Sequence, residues 1–391
     1  MDTQQFTTLE QEVGRFVQGP ARELGENLEK GQASTIEAWQ EIRRQEYLKL
    51  APPEVLGGKG LSMTQYLTLL EKFSAMHGSL RMIVHVMNGI WRPVYSHASQ
   101  SQIEEYVKPL IQGTHIVTFT LTEPNAGTGS DIQTDARREG SDYIVNGEKW
   151  LITFADVADY FLLFGRLQGT QGAHGTLALM VPRDADGLQI EAMPPSMGLS
   201  GTGHGHLYLQ NCRVPVASRL GEEGEGLDVA FHGFLDPSRL GIGMTTVGLA
   251  QRALDLAIER ANTRVTFGKA LAQRSTIRER LAEMATDVEA ARQLCLWAAR
   301  RWDAGCLAPE DASKAKLFGS EMLQRVTDRA LQIFGGIGYF HGYEIERIYR
   351  DARAQRFEEG TAEVQKAVIG RSLVRSPRSV AKKEPARVIT Y

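Results

Sequence analysis

Cysteine is scarce in this chain of 391 residues: Cys212, Cys295 and Cys306 are odd in number and have neither CxxC spacing nor a disulfide-framework pattern. That usage suits a reducing compartment, so a cytoplasmic protein is expected. No run of eighteen apolar residues occurs, and Met1-Asp2-Thr3-Gln4-Gln5-Phe6 holds no basic segment leading into an apolar one. Neither a membrane span nor a signal peptide is predicted. An excess of either charge is missing too, with 44 Lys plus Arg against 47 Asp plus Glu. Such balance gives no support to polyanion binding, and no nucleic-acid partner is expected. Internal repeats are also lacking.

What is present is the composition of a folded globular protein, 42% hydrophobic and 23% charged. The length calls for two or three packed units rather than one core. Helical periodicity runs from Phe6 to about Gly113, through the polar stretch Leu24 to Leu50 and then Met63 to Ile83, where apolar residues recur three and four apart. Pro52-Pro53 forces extended backbone, and Gly57-Gly58-Lys59-Gly60 breaks the region in two. After Gly113 the period becomes two. Tyr143 to Trp150 reads as a hairpin with Asn146-Gly147 at its apex, and Tyr160 to Leu167, Thr176 to Val181 and Gly205 to Val214 read as strands. Helical stripes return at Val247, Ala250, Leu254, Ala257 and Ile258, from Ile277 to Trp302 and from Lys314 to Ile333, with a reversal at Thr266-Phe267-Gly268. The expected class is α+β and multidomain: a helical domain over 1–115, a β barrel or sandwich over 116–232, a helical bundle over 233–376 and a flexible tail over 377–391.

Four segments carry chemistry. Phe119 to Asp131 is a strand running into a Gly-rich loop whose hydroxyls and backbone amides suit a polyoxygenated ligand such as a pyrophosphate. It lacks the G-x-G-x-x-G spacing and the following helix of a nicotinamide site. In Lys149 to Thr153, Ile152 and Thr153 suit a planar ring, though alone they are ordinary strand residues. Gln332-Ile333-Phe334-Gly335-Gly336 ends a helix at glycines that tolerate positive φ and let a ligand lie on the backbone, or simply cap the helix. Phe357 to Gln365 is a loop feeding a helix with Thr361 as N-cap, which sets Glu359 beside free amides and next to Gly360. Glu359 is there either a dipole partner or, if partly buried in an apolar pocket, a general base.

Together with Arg264-Val265-Thr266-Phe267-Gly268 and Tyr349-Arg350-Asp351-Ala352, these segments occur in the order found in the acyl-CoA dehydrogenase family, which the chain resembles from about Leu56 to Leu373. The resemblance implies a C-terminal four-helix bundle and FAD held by Phe119, Leu121, Thr122, Gly129 and Ser130, with Ile152 and Thr153 around the isoalloxazine. It implies that Arg264, Phe267, Gln332, Gly335 and Gly336 reach the cofactor of a neighbouring subunit, in a homotetramer or dimer, and that Thr361 and Glu363 close the pocket. Ser130, Asp236, Arg239 and Gly360 would contact the substrate, Asp236 and Arg239 at a helix start facing the pantetheine arm. A capping ion pair is the other reading of those two.

The implied reaction is α,β-dehydrogenation of an acyl thioester to the trans-2-enoyl product. Glu359 takes the α proton as a hydride leaves the β carbon for flavin N5, and electrons pass on to an electron-transfer flavoprotein. Some members place the base two residues after the aspartate of the D-x-x-R motif. Here that residue is Ser238, which cannot serve.

The chain also departs from the family pattern. Thr128-Gly129 lengthens the loop, Leu151 and Phe154 flank Ile152-Thr153, and Ser275 replaces a common Gln. Glu358 replaces Tyr and is expected to face solvent. His204 and His206 share a strand face without a third ligand, so no metal is expected. Met82, Val86, Met87 and Trp91 are candidates to line the acyl pocket, with the core as their preferred place. Alternatives are the same chemistry on a carrier-protein thioester, a flavin monooxygenase or oxidase, and a non-catalytic flavoprotein.

Overall fold

The first helices begin where a short polar side chain can bond the free amides of the opening turn. In the computed structural model, which describes residues 1–126 and 129–374, Asp2, Ser34 and Ser62 cap α1 (Thr3–Gln18), α3 (Thr35–Arg44) and α4 (Met63–Phe73). Each forms a reciprocal capping box, with Gln5, Glu37 or Gln65 as partner. Pro20 opens α2 (Pro20–Glu29), where its missing N–H costs nothing. The periodic stretch from Met63 to Ile83 is two helices, because α4 stops at Ser74 and His77 caps α5 (Gly78–Ser96). A helical run then follows through α6 (Gln100–Gln102), a π turn at Ile103–Val107 and α7 (Lys108–Ile111). No helix among the described residues is long and apolar enough to cross a membrane. The expected tail, 377–391, lies outside the described residues.

The middle of the chain is one curled, seven-stranded sheet. Its strands are β1 (Val117–Thr120), β2 (Asp135–Glu139), β3 (Asp142–Thr153), β4 (Tyr160–Leu167), β5 (Thr176–Pro182), β6 (Leu188–Ala192) and β7 (His204–Pro215). They lie in the order β1-β4-β2-β3-β7-β6, with β5 also on β4. β1 and β2 run parallel to β4, and the other pairs are antiparallel.

The hairpin expected at Asn146-Gly147 is absent, since β3 runs straight through it. The reversal lies at Gly140-Ser141, between β2 and β3. Asn146-Gly147 is a bulge where the register to β7 shifts between Val145 and Gly147. A Cβ at Gly147 would stand 2.7 Å from the Thr134 Cα, and the Asn146 side chain accepts a hydrogen bond from the Asn211 amide. The dipeptide that favours tight turns serves equally well in a bulge.

Beyond the sheet, α8 (Gly226–Ala230) passes through a π turn at Phe231–Leu235 into α9 (Asp236–Thr263) without a break. Asp236 is therefore inside a helical run, not at a helix start as the sequence pattern suggested. The widened turn accommodates Pro237, which has no N–H to give. α9 is the buried axis of a bundle completed by α10 (Ser275–Asp303), α11 (Pro309–Phe334) and α13 (Ala362–Leu373), with α12 (Glu344–Ala354) alongside. Close approach needs a bare backbone: a Cβ at Gly248 would lie 2.1 Å from the Glu71 carbonyl oxygen of α4. The reversal expected at Thr266-Phe267-Gly268 is a minute hairpin of β8 (Val265–Thr266) and β9 (Lys269–Ala270).

Candidate functional site

The loop from α12 to α13 is clamped from three directions. Glu359 sits in the left-handed region at φ +55°, followed by Gly360 at +97°. Arg239 Nε donates to the Glu359 carbonyl at 3.3 Å, and the Gln365 amide reaches the Glu359 and Gly360 carbonyls at 3.1 Å each. Lys316, from α11, donates to the carbonyls of Arg356 and Gly360 at 3.1 and 2.6 Å. Burial pushes its ammonium down to about 8 against the pull of Glu358 and Glu359. A non-glycine residue held at positive φ costs about 1–3 kcal/mol, and these donors compensate it. The Glu359 side chain is 14% exposed, and its Oε1 accepts from Ser238 Oγ at 3.0 Å rather than from the start of α13.

Glu358 does not face solvent, contrary to the sequence expectation. Arg81, from α5 and 2% exposed, grips it with two hydrogen bonds of 2.9 and 3.1 Å. Burial raises the Glu358 carboxyl, but Arg81 outweighs it and holds the group below the usual carboxylate range. A carboxylate beside the Glu359 carboxylate is accommodated because a guanidinium neutralises it.

A second group of residues lies at the edge of the sheet. Lys149, fully buried in β3, donates to Glu123 at 2.7 Å and to the Leu121 carbonyl at 3.0 Å, and the Trp150 amide donates to the Thr122 carbonyl. Glu123 also accepts from the Gln133 and Thr134 amides. These bonds hold the 119–123 segment against β3. Burial lowers the Lys149 ammonium to about 8, with Glu123 opposing. Leu151 and Phe154, at φ +56° and +62°, bracket Ile152-Thr153, where the register to β7 shifts again. Ile152 is buried, and the Thr153 carbonyl accepts from Thr118 Oγ at 2.6 Å. The hydroxyls of Thr122, Ser130 and Thr153 have no partner among the described residues. Phe119 turns inward and stacks on Phe234 at 4.5 Å, Leu121 is buried, and Gly129 and Ser130 border the undescribed pair 127–128. β7 links the two groups: His204 is the cross-strand partner of Thr153 and feels the charge of Glu358.

Arg264, Phe267, Gln332, Gly335 and Gly336 are exposed. Phe267 is 95% exposed, with φ +50°. A Cβ added at Gly335 or Gly336 would meet nothing within 4 Å, and Tyr339 nearby is 86% exposed. Thr361 precedes α13 as expected, although its side chain makes no capping bond, and Glu363 is exposed in the first turn. Asp236 and Arg239 form the expected ion pair at 2.7 Å, and both are buried. Burial raises the Asp236 carboxyl against the pull of Arg239. Met82, Met87 and Trp91 lie in the core and Val86 packs at its edge. His206 is engaged by Glu148 at 3.0 Å and stacks on Tyr208.

Sequence reasoning missed Arg81, His85, Lys316 and Gln365. Arg81 and His85 stand four apart within the apolar run Leu80 to Trp91, a polar pair on one helix face that was there to be read.

Comparison with known proteins gives a consistent answer. Family models described as acyl-CoA dehydrogenase N-terminal, middle and C-terminal domains match residues 3–114, 118–212 and 224–374. An acyl-CoA dehydrogenase of Bacillus subtilis is 31% identical over 95% of this chain and 98% of its own. The butyryl-CoA dehydrogenase of Megasphaera elsdenii superposes with a TM-score of 0.88 at 32% identity, covering 96% of this chain and 100% of that one. The prolyl acyl carrier protein oxidase AnaB does so at 0.88 and 29%, covering 96% and 100%.

Proposed function

Because this chain belongs to the acyl-CoA dehydrogenase family, FAD-dependent oxidoreductases acting on acyl thioesters, we propose that Glu359 is its general base. The observation that carries this reading is the largely enclosed carboxylate of Glu359, held by Ser238 on a loop clamped in the left-handed region. Such a carboxylate is oriented before substrate arrives, which is what proton abstraction at carbon requires. The thioester carbonyl would lie against the Glu359 amide, so that developing enolate charge meets a fixed donor.

The residues at the sheet edge fit the cofactor. Free hydroxyls at Thr122, Ser130 and Thr153 suit its polar groups, and the buried Ile152 beside strained Leu151 and Phe154 suits a flat ring. FAD supplies the hydride acceptor when bound. The protein's part is alignment and exclusion of water: Lys149 and Glu123 brace the edge, and Arg239, Lys316 and Gln365 brace the base. Arg264, Phe267, Gln332, Gly335 and Gly336 would serve the cofactor of a second copy in a homo-oligomer, since within one chain they are exposed. Thr361, Glu363 and Gly360 would border the cofactor and the thioester, and Asp236 with Arg239 would flank its pantetheine arm. An electron-transfer flavoprotein is the proposed acceptor.

Exchange of α hydrogens of a bound acyl-CoA in heavy water tests the base. It should occur in the wild type and vanish in Glu359→Gln; equal exchange in both would remove Glu359 from the role. A second reading, an acyl group on a carrier protein, is favoured by the likeness to AnaB. Turnover with matched acyl-CoA and acyl-carrier substrates separates the two.

A further inference from the structure

Two buried polar groups near the base are not explained by the reaction outlined so far. Ser238 Oγ lies 3.0 Å from Glu359 Oε1 and 2.9 Å from His85 Nε2, and His85 Nε2 is 3.9 Å from the same carboxylate oxygen. The three come from separate elements: His85 from α5, Ser238 from α9, Glu359 from the loop before α13. Ser238 and His85 are both buried. A Cβ at Gly241 would fall 2.4 Å from His85 Cε1, so the ring rests on bare α9 backbone, one turn from Ser238.

The direction of these hydrogen bonds follows from what each group can do. An ionised carboxylate only accepts, so Ser238 donates its hydroxyl hydrogen to Glu359 Oε1. Ser238 is then left with lone pairs, and the hydrogen between it and the imidazole belongs to His85 Nε2. His85 Nδ1 is buried with no partner among the described residues, which is where a nitrogen without a hydrogen belongs. The order is His85 Nε2–H to Ser238, then Ser238 O–H to Glu359. Each bond in such a chain polarises the next. A histidine kept only for packing would gain from an apolar replacement, because a buried nitrogen without a partner is unfavourable.

We propose that Ser238 and His85 are positioning residues for Glu359: they hold Oε1, fix the rotation of the carboxylate and leave Oε2 free to take the substrate proton. The inference rests on Glu359 being the base and adds what orients it. Ser238 cannot take the proton, but it aims the group that does.

The test uses FAD-loaded protein and anaerobic stopped-flow reduction by an acyl-CoA that bleaches the wild type. Ser238→Ala should slow the limiting rate about tenfold, or about 1.4 kcal/mol, while the substrate concentration giving half that rate shifts by less than about twofold. Ser238→Thr should restore most of the rate. His85→Gln, whose amide can donate in place of Nε2, should outpace His85→Leu. Since His85 acts through Ser238, Ser238→Ala with His85→Leu should be no slower than Ser238→Ala alone. Flavin content and thermal unfolding identify any variant that simply fails to fold. Nitrogen-15 NMR of the holoprotein supplies a readout independent of turnover: the His85 signal, identified by its loss in His85→Gln, should show a protonated Nε2 and a bare Nδ1. A Ser238→Ala enzyme as fast as wild type, additive losses in the double variant, or the opposite tautomer overturns the proposal. The base assignment fails separately, if Glu359→Gln is bleached as fast as the wild type.

Discussion

Replacing Arg81 by methionine removes one partner of the ion pair beside the base while keeping most of the side chain's volume. Arg81 is 2% exposed and makes both of its bonds, 2.9 and 3.1 Å, to Glu358. Without it, burial opposes the Glu358 charge with only the weaker influence of Lys316 to offset it. Stranding a buried charge in this way costs about 3–5 kcal/mol, a large share of the roughly 5–15 kcal/mol that separates a folded domain from its unfolded chain. Arg81→Met should therefore lower the urea midpoint of FAD-saturated protein sharply, followed by circular dichroism. Adding Glu358→Gln in the same chain should return most of the loss, because it removes the stranded charge. The reasoning is refuted if Arg81→Met costs less than about 1 kcal/mol, the value of a surface pair, or if the double variant is as unstable as Arg81→Met alone.

Three further outcomes are expected. Lys316 is pushed down by burial from the ordinary lysine value of 10.5 to about 8, so the folded chain binds fewer protons than the unfolded chain between those values. Unfolding free energy should rise with pH across that window, by up to roughly 3 kcal/mol, and Lys316→Met should flatten the rise; equal slopes in both proteins would contradict it. Leu151 is held at φ +56° and is half exposed, so Leu151→Gly should stabilise by about 1 kcal/mol, and a lower midpoint would refute the strain argument. Phe267 and Tyr339 expose large apolar rings, and Phe267→Glu with Tyr339→Glu should yield smaller particles in sedimentation velocity; unchanged size would place any subunit contact elsewhere.

The helical, then β, then helical order was legible because the hydrophobic period changes from 3.6 to two and back. Particular elements were not. Asn146-Gly147 carries the local signal of a turn, but partners distant in sequence, Thr134 and Asn211, make it a bulge in a longer strand. Asp236-Pro237 looks like a helix start because proline usually marks one, whereas the π turn at Phe231–Leu235 carries the helix through. At the site, Glu359 could be picked out from its neighbours in sequence. Its companions could not be tied to it, because Arg81 and His85 on α5, Ser238 on α9 and Lys316 on α11 reach the loop from three helices far apart in sequence. Glu358 was placed on the wrong side of the loop for the same reason: nothing near it in sequence announces that Arg81 lies opposite.

The central claim is that the Glu359 carboxylate removes the α proton. Anaerobic titration of the yellow holoprotein with a panel of acyl-CoAs tests it most directly, comparing wild type with Glu359→Gln at matched FAD content. Bleaching of the wild type by at least one thioester, and a loss of that bleaching by a factor of about a thousand or more in the variant, is the expected result for removal of a general base. A Glu359→Gln protein that bleaches as fast as the wild type would contradict the account.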